Sequence, residues 1–334
     1  MPVASISEYS ASINTPQMVK ATVLGGGSPV KKNGRQIKYS GGFCVVFPYQ
    51  TPVKKYAVRC WHININDIKN RTRLISEAIQ STKLQYFVGF EYVSNGIQTA
   101  KGAQDIVVMD WVEAQSLKKY LSSHLTESAK LVELANRFKE MVIKFHSHHI
   151  AHGDLQHGNI MVKDDGNIVL VDYDSMYVPA LSGYADDIKG LAGYQHPSRW
   201  KNKTISEKID YFSELIIYTS LMALSKFPNL WNELNLEDTE TLLFSAEDIS
   251  SKGNSKIFQI LDNHQELRPL STKIKEFLDK GSIDELEPLE TAVTDTKKAL
   301  VESLANEWGD NGYVKQVQTP EDLRKIAKEI SKLW

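Results

Sequence analysis

The chain has 334 residues, 42% of them apolar and 24% charged, with 19 glycines and 11 prolines, an ordinary globular composition long enough for two or three domains or two lobes sharing a cleft. The net charge is −2, but residues 1–109 carry 13 Lys or Arg against 5 Asp or Glu and the remainder 26 against 36, scattered without the blocks of like charge that would make nucleic acid the expected partner. Cys44 and Cys60 are too few for a disulfide framework or a four-thiolate zinc site, and the longest apolar run, residues 215–224, is too short for a membrane helix and is broken by Thr219 and Ser220. The opening Met1-Pro-Val-Ala-Ser-Ile-Ser-Glu8 has neither a basic nor an apolar signal region, so the expected location is the cytoplasm, with reduced thiols.

In chain order, residues 34–39, 43–47 and 55–61 are rich in β-branched and aromatic residues and punctuated by Gly41-Gly42 and by Pro48 and Pro52, which predicts an antiparallel meander. A helix is expected at about 66–81, then strands over 86–92 and 106–109. From 127 to 149 the apolar residues Leu131, Leu134, Ala135, Phe138, Met141, Val142 and Phe145 keep to one face of a 3.6-residue helix. Residues 160–163 and 167–171 flank Asp164-Asp165-Gly166, a turn signal that predicts a short hairpin. Residues 206–225 are apolar almost all round, as in a helix buried in the middle of a domain. From 291 the tail reads as helical, its last helix opened by Thr319-Pro320-Glu321-Asp322 and ending in spaced apolar residues over 326–334 that suit docking on its own lobe.

Chemistry concentrates in His152-Gly-Asp154-Leu-Gln-His-Gly-Asn159 and, after the hairpin, Val171-Asp172-Tyr173-Asp174. Two carboxylates and an amide on loops beside short strands suit a Mg²⁺ held by hard oxygens while a further carboxylate faces an incoming hydroxyl, the arrangement of phosphoryl transfer. Each residue also has a plainer reading, since Asp and Asn are turn formers. The cluster His146, His148, His149, His152 and His157 lacks the spacing of a zinc site and reads as loop and helix-end histidines, with His152 supporting the loop of Asp154.

These segments resemble the protein-kinase superfamily, whose catalytic loop is H-R-D-x-x-x-x-N and whose metal loop is D-F-G. Asn159 follows Asp154 by five residues and Asp172 follows it by eighteen, room for one hairpin. Tyr56-Ala-Val-Arg59 resembles the V-A-I-K strand, Ser40-Gly-Gly-Phe-Cys-Val-Val46 the glycine-rich loop, and Val108-Met-Asp-Trp-Val112 the linker between lobes. Gly193-Tyr-Gln-His-Pro-Ser198 stands in the place of A-P-E, Asp210-Tyr-Phe-Ser213 resembles the start of the buried helix, and Arg268-Pro269 the late R-P. The wording of Tyr56–Cys60 and of Asp172-Tyr-Asp-Ser-Met-Tyr-Val-Pro-Ala-Leu181 is similar to a bacterial subgroup of divergent Ser/Thr protein-kinase-like proteins.

The resemblance implies an α+β, two-lobed fold: an extension at 1–19, an antiparallel-sheet N-lobe at 20–109, a hinge at 110–116, a mainly helical C-lobe at 117–290 and a helical extension at 291–334. It implies ATP and Mg²⁺ in the cleft and a protein substrate or partner. Asp154 would position the acceptor hydroxyl, with Asn159 and Asp172 holding the metal. Arg59 would stand in for the lysine that grips the α- and β-phosphates, with Glu77 as its partner on the first helix. Gly41, Gly42 and Phe43 would cover the phosphates, and Met109, Asp110 and Val112 would flank the adenine, although core packing explains Met109 equally well.

Several positions depart from the pattern. Arg59 is longer and forked where the family has lysine, Tyr39 and Cys44 replace loop glycines, and Lys38 is an alternative phosphate contact or a solvated strand lysine. Asp174 replaces the last glycine of D-F-G, as a metal contact or, preferably, a turn cap. Gly153 replaces the H-R-D arginine, which argues against activation by loop phosphorylation. Gln156 stands where Ser/Thr kinases carry lysine, and Ser198 leaves Arg268 without its glutamate. The expected function is a Mg-ATP-dependent phosphotransferase, foremost a divergent protein Ser/Thr kinase. The alternatives are a nucleotide-binding pseudokinase or scaffold, and a small-molecule kinase of the aminoglycoside- or choline-kinase type, whose wording H-G-D-L-x-x-G-N is shared.

Overall fold

The computed structural model describes residues 3–310, with side chains through residue 300. The chain divides into two compact units, one formed by residues up to Glu113 together with Val169–Asp174, the other by Ala114–Ile168 together with the residues from Ser175 on.

The first unit opens with α1 (Ile6–Ile13), started by a capping box in which Ser5 and Glu8 satisfy each other's backbone N–H groups. Tyr9 and Ile13 are buried in one cluster with Val45, Phe47, Val58 and Ile106, and the Tyr9 hydroxyl donates to the Trp61 carbonyl at 2.9 Å. Each such side chain contributes about 1.5–3 kcal/mol by leaving water, so residues set apart by the sequence as an extension belong to the core of this unit.

The strands are β1 (Ser28–Pro29), β2 (Lys31–Lys32), β3 (Arg35–Gln36), β4 (Tyr39–Ser40), β5 (Cys44–Gln50), β6 (Lys55–Trp61), β7 (Phe90–Thr99) and β8 (Gly102–Asp110), with α2 (Ile68–Thr82) between β6 and β7. The main sheet runs β1-β5-β6-β8-β7, with β4 beside β5, all antiparallel. β4, β5 and β6 pair in succession as the antiparallel meander expected there, and beyond it β8 inserts between β6 and β7. Register places Arg59 opposite Val46 on one side and Val107 on the other, at the centre of the sheet. The single strand expected over 34–39 is two short pieces separated by Ile37 and Lys38. The strand expected over 86–92 starts at Phe90 and runs through Ser94-Asn95-Gly96, where a register shift between Val93 and Ile97 absorbs the turn-like residues as a bulge.

The second unit holds β9 (Gln115–Ser116), α3 (Leu117–His124), α4 (Ser128–Ser147), β10 (Ile160–Val162) and the start of β11 (Ile168–Leu170). After these come α5 (Tyr211–Lys226), α6 (Leu230–Glu233), α7 (Ala246–Ser250), α8 (Lys256–Asn263), α9 (Arg268–Leu278) and α10 (Leu289–Asp310). The apolar stripe expected on α4 is its buried face, residue for residue. In α5 every residue from Tyr211 to Ser225 is buried. The Asp-Gly turn closes with the Lys163 N–H on the Asn167 carbonyl at 2.9 Å and Gly166 at φ 78°.

At the end of α4, His146 joins three helices: Nε2 lies 3.1 Å from both carboxylate oxygens of Glu214 on α5, and Nδ1 lies 2.9 Å from Glu290 on α10. Burial opposes its charge, but the two carboxylates overcome it and lift the imidazole to about 9. Burial pushes the Glu214 carboxyl up to about 7 against the pull of His146. Leu289, Ala292 and Leu300 of α10 are buried. The helix expected over 319–334 lies outside the described residues. Among the described residues no helix is long and apolar enough to cross a membrane.

Candidate functional site

In the second unit the site is built around Asp154. Its Oδ1 accepts the Leu191 N–H at 3.0 Å and its Oδ2 accepts Asn159 Nδ2 at 2.9 Å. Asn159 Nδ2 also donates to the Asp154 carbonyl at 2.9 Å. The five-residue spacing is what makes this closure possible, because the Asn159 and Ile160 N–H groups both return to the Gln156 carbonyl in a tight turn. Committing Nδ2 to Asp154 leaves the amide oxygen of Asn159 as its acceptor, a hard donor of the kind Mg²⁺ takes.

The loop ahead of Asp154 hangs on a carboxylate. Asp210, fully buried at the start of α5, accepts both the His152 and the Gly153 N–H groups. His152 is itself buried, and its Nδ1 accepts the Asp154 N–H at 3.4 Å. Gly153 sits at φ +80°, and a Cβ there would lie 2.1 Å from the Ser175 carbonyl oxygen. The missing arginine of H-R-D therefore has a local cause: no side chain fits.

A different arginine supports this loop. Arg199, fully buried, forks onto Asp186 with Nε and Nη2 at 3.2 and 3.1 Å and donates Nη1 to the Gly153 carbonyl and to Gln195. Ser198 hydrogen-bonds His196 at 2.7 Å, and Arg268 finds the Asp262 carbonyl at 2.7 Å, so neither waits for the other. His157 faces the Tyr194 hydroxyl at 2.8 Å, and burial holds its imidazole down at about 4, neutral.

In the first unit the centre is Arg59, whose Nη2 donates to Asp172 Oδ1 and to Asp174 Oδ2, each at 2.7 Å. Trp61 Nε1 donates to the same Oδ2 at 3.0 Å, and Arg71 on α2 donates to the Asp174 carbonyl at 3.3 Å. Burial works against the guanidinium charge of Arg59, and the two carboxylates more than offset it, holding the group firmly protonated. Burial likewise raises the Asp174 carboxyl while Arg59 draws it back. Asp174 is thus a buried counter-ion, in place of the turn cap or metal contact expected of it.

Glu77 does not meet Arg59. It lies exposed on α2, paired with Arg73 at 2.7 Å, because Arg71, Thr72, Ile75 and Ile79 form the buried face of that helix. The expected pairing is corrected to Asp172 and Asp174. The Asp172 side chain stays 42% exposed and its backbone takes φ 70°.

The glycine turn joins β4 to β5, with the Gly41 N–H on the Cys44 carbonyl at 2.9 Å and the His62 ring on the Gly41 carbonyl at 3.1 Å. A Cβ at Gly42 would meet nothing within 4 Å, so the fold does not demand glycine there. Phe43 and Tyr39 are both exposed beside this turn. Lys38 reaches toward Ser10, at 3.5 Å.

Met109 is buried and lines, with Arg59, Thr72, Ile75 and Tyr173, a cavity of about 10 Å³ behind α2, so its role here is packing. Asp110 is held by Lys54 at 2.5 Å, and its N–H is spent on the Gly89 carbonyl. Trp111 lies under the Lys55 ammonium, 3.8 Å from its ring centroid. Val112 follows, partly exposed. Cys44 and Cys60 are free and buried, and burial lifts the Cys44 thiol to about 11.

The structure brings Asp154 and Asn159 together through the Asn159 amide, and the sequence pattern had put both in one loop. That pattern missed Asp186, Arg199, Trp61 and Arg71, whose contacts join residues far apart in the chain. In comparison with known families, the profile described as "Protein kinase domain" matches residues 40–282. A comparison with curated proteins returned no match.

Proposed function

The chain belongs to the protein kinase domain family and is a kinase-like phosphotransferase, and from that premise we propose a Mg-ATP-dependent enzyme that phosphorylates Ser or Thr hydroxyls of a protein. The observation that carries this reading is the fixing of both Asp154 oxygens, by the Leu191 N–H and by Asn159. A carboxylate oriented in this way can receive an acceptor hydroxyl within hydrogen-bond reach, which is the geometry general-base positioning needs.

Asp154 would orient the hydroxyl so that its oxygen attacks the terminal phosphorus in line. The new O–P bond forms as the bond to the leaving diphosphate breaks, and the hydroxyl proton passes to Asp154 and on to solvent. Bound Mg-ATP supplies the phosphoryl group and the cation that neutralises its charge. Asn159 and Asp172 would hold that cation with an amide and a carboxylate oxygen, Gly41 and Gly42 would admit phosphates to the backbone, and Arg59 would face them from the sheet. The main chain at Asp110 and Val112 would meet the adenine edge.

A second reading is a nucleotide-binding pseudokinase, favoured by Arg59 sitting on Asp172 Oδ1. A metal ion would have to share or displace that contact.

The test is labelled-phosphate transfer from Mg-ATP to mixed protein acceptors and to small alcohols, beside thermal unfolding of the same samples. Transfer to protein that Asp154→Ala abolishes, with a Mg-ATP stabilisation that Asp172→Asn removes, is the expected result. Stabilisation without any transfer supports the pseudokinase, and transfer only to small alcohols supports a small-molecule kinase.

A further inference from the structure

Two departures from the family pattern, arginine for lysine at Arg59 and aspartate for glycine at Asp174, meet at 2.7 Å. We infer that they form one device, in which Asp174 is the positioning residue that anchors the strand cation, a task the family gives to a carboxylate on the first helix. The inference rests on the phosphotransfer reading above and concerns how that site is held.

The helix has no acid to offer. Glu77 is the single carboxylate of α2, and it lies exposed beside Arg73. What α2 turns inward is a cation, Arg71, whose guanidinium donates to the Asp174 carbonyl. The order of charges is therefore strand cation, loop anion, helix cation, where the family has strand cation and helix anion.

The substitutions also suit each other chemically. Glycine at 174 would leave Asp172 as the carboxylate facing the buried Arg59 guanidinium, and Asp172 is the more exposed of the two. The buried carboxylate of Asp174, fixed by Trp61 Nε1 at 3.0 Å, keeps hold of Arg59 from within the unit. Asp172 can then turn to a cation without setting Arg59 loose. One terminal nitrogen of the guanidinium, Nη2, makes both contacts, one hydrogen to each carboxylate.

The consequence is regulatory. In the family pattern, displacement of the first helix breaks the ion pair and disarms the strand cation. Here the anchor travels with the metal loop, so movement of α2 does not release Arg59.

The experiment measures Mg-ATP affinity for the native chain, Asp174→Asn, Glu77→Gln, Arg59→Lys and the Arg59→Lys/Asp174→Asn double variant, with ¹⁵N resonances of the Arg59 guanidinium as a second readout. Asp174→Asn is expected to weaken Mg-ATP by tenfold or more, and by clearly less in the Arg59→Lys background, while Glu77→Gln stays within twofold. The guanidinium should rotate slowly in the native protein and fast in Asp174→Asn. Should Asp174→Asn not fold, Trp61→Phe removes one donor from the same carboxylate and should speed that rotation. A loss in Glu77→Gln matching that in Asp174→Asn, or a guanidinium indifferent to both Asp174→Asn and Trp61→Phe, overturns the inference. A native chain that ignores Mg-ATP while Asp174 still immobilises Arg59 overturns the phosphotransfer reading and leaves the anchor standing.

Discussion

Restoring a side chain at Gly153 tests the claim that backbone geometry shapes the loop of Asp154. An alanine there pays about 1–2 kcal/mol for a left-handed conformation. Its Cβ would also lie 2.1 Å from the Ser175 carbonyl oxygen and 2.7 Å from the carbonyl carbon, both backbone atoms that cannot swing aside. Relief requires a shift of about 1 Å, which strains the hydrogen bonds from the His152 and Gly153 N–H groups to Asp210. Charge-assisted bonds of this kind are worth about 1.5–3 kcal/mol each. The expected loss is roughly 3–5 kcal/mol, a fall in the unfolding midpoint of about 6–20 °C at about 2–4 °C per kcal/mol. Gly183, at φ +82° with nothing within 4 Å of its Cβ position, is the control, since alanine there meets only the conformational term. Denaturant titration of both variants separates the two contributions. Equal losses for Gly153→Ala and Gly183→Ala would refute the clash, and with it the account of why the family's arginine is absent.

Two further outcomes follow from the buried ionisable groups. His146 has its folded value raised to about 9, so the stability it contributes is fully present below its unfolded value near 6.5 and is lost as pH rises through 9. His146→Phe should flatten the stability profile over that range in pH-dependent unfolding, and an unchanged slope would refute the role of the Glu214 and Glu290 pairings. Cys44 is held protonated up to about 11 by burial, so a thiol reagent at pH 8 should label the native chain at least tenfold more slowly than the unfolded one, and equal rates would contradict the burial of Cys44 and Cys60.

What the sequence disclosed depended on whether the signal was local. The buried face of α4 is a 3.6-residue pattern and needs no partner to be seen. Asp154 and Asn159 are five residues apart and close on each other within one turn. Glu77 was misassigned through helix phase: Ile75 and Ile79 mark the inward face of α2, and a residue two positions from each points about 200° away. The helix α1 carries a readable capping box, Ser5 with Glu8, but its eight residues are too short for a periodic pattern. Asp174 could not be read at all as a counter-ion, since Asp-Tyr-Asp is turn chemistry until the sheet brings Arg59 and Trp61 against it from more than a hundred positions away.

The same distinction bears on how the segment after Asp172 is kept in order. In the family pattern the arginine before the catalytic aspartate docks a phosphate carried by the activation loop. Here Arg199 reaches the loop of Asp154 from the other direction, through the Gly153 carbonyl, and its own charge is met by Asp186 within the same segment. Both side chains are fully buried, so the pair is a fixed internal tie with no place for an added phosphate. Removing one partner of a buried pair costs about 3–5 kcal/mol, here offset in part because Lys189 also reaches the Asp186 carboxylate, at 3.1 Å. Arg199→Lys keeps the charge but loses the fork, and it should destabilise the second unit by a few kcal/mol and abolish transfer, while phosphatase treatment of the native chain should leave the transfer rate within twofold. Transfer that collapses on phosphatase treatment would show that a covalent phosphate orders this segment, and the Arg199–Asp186 tie would then be scaffolding alone.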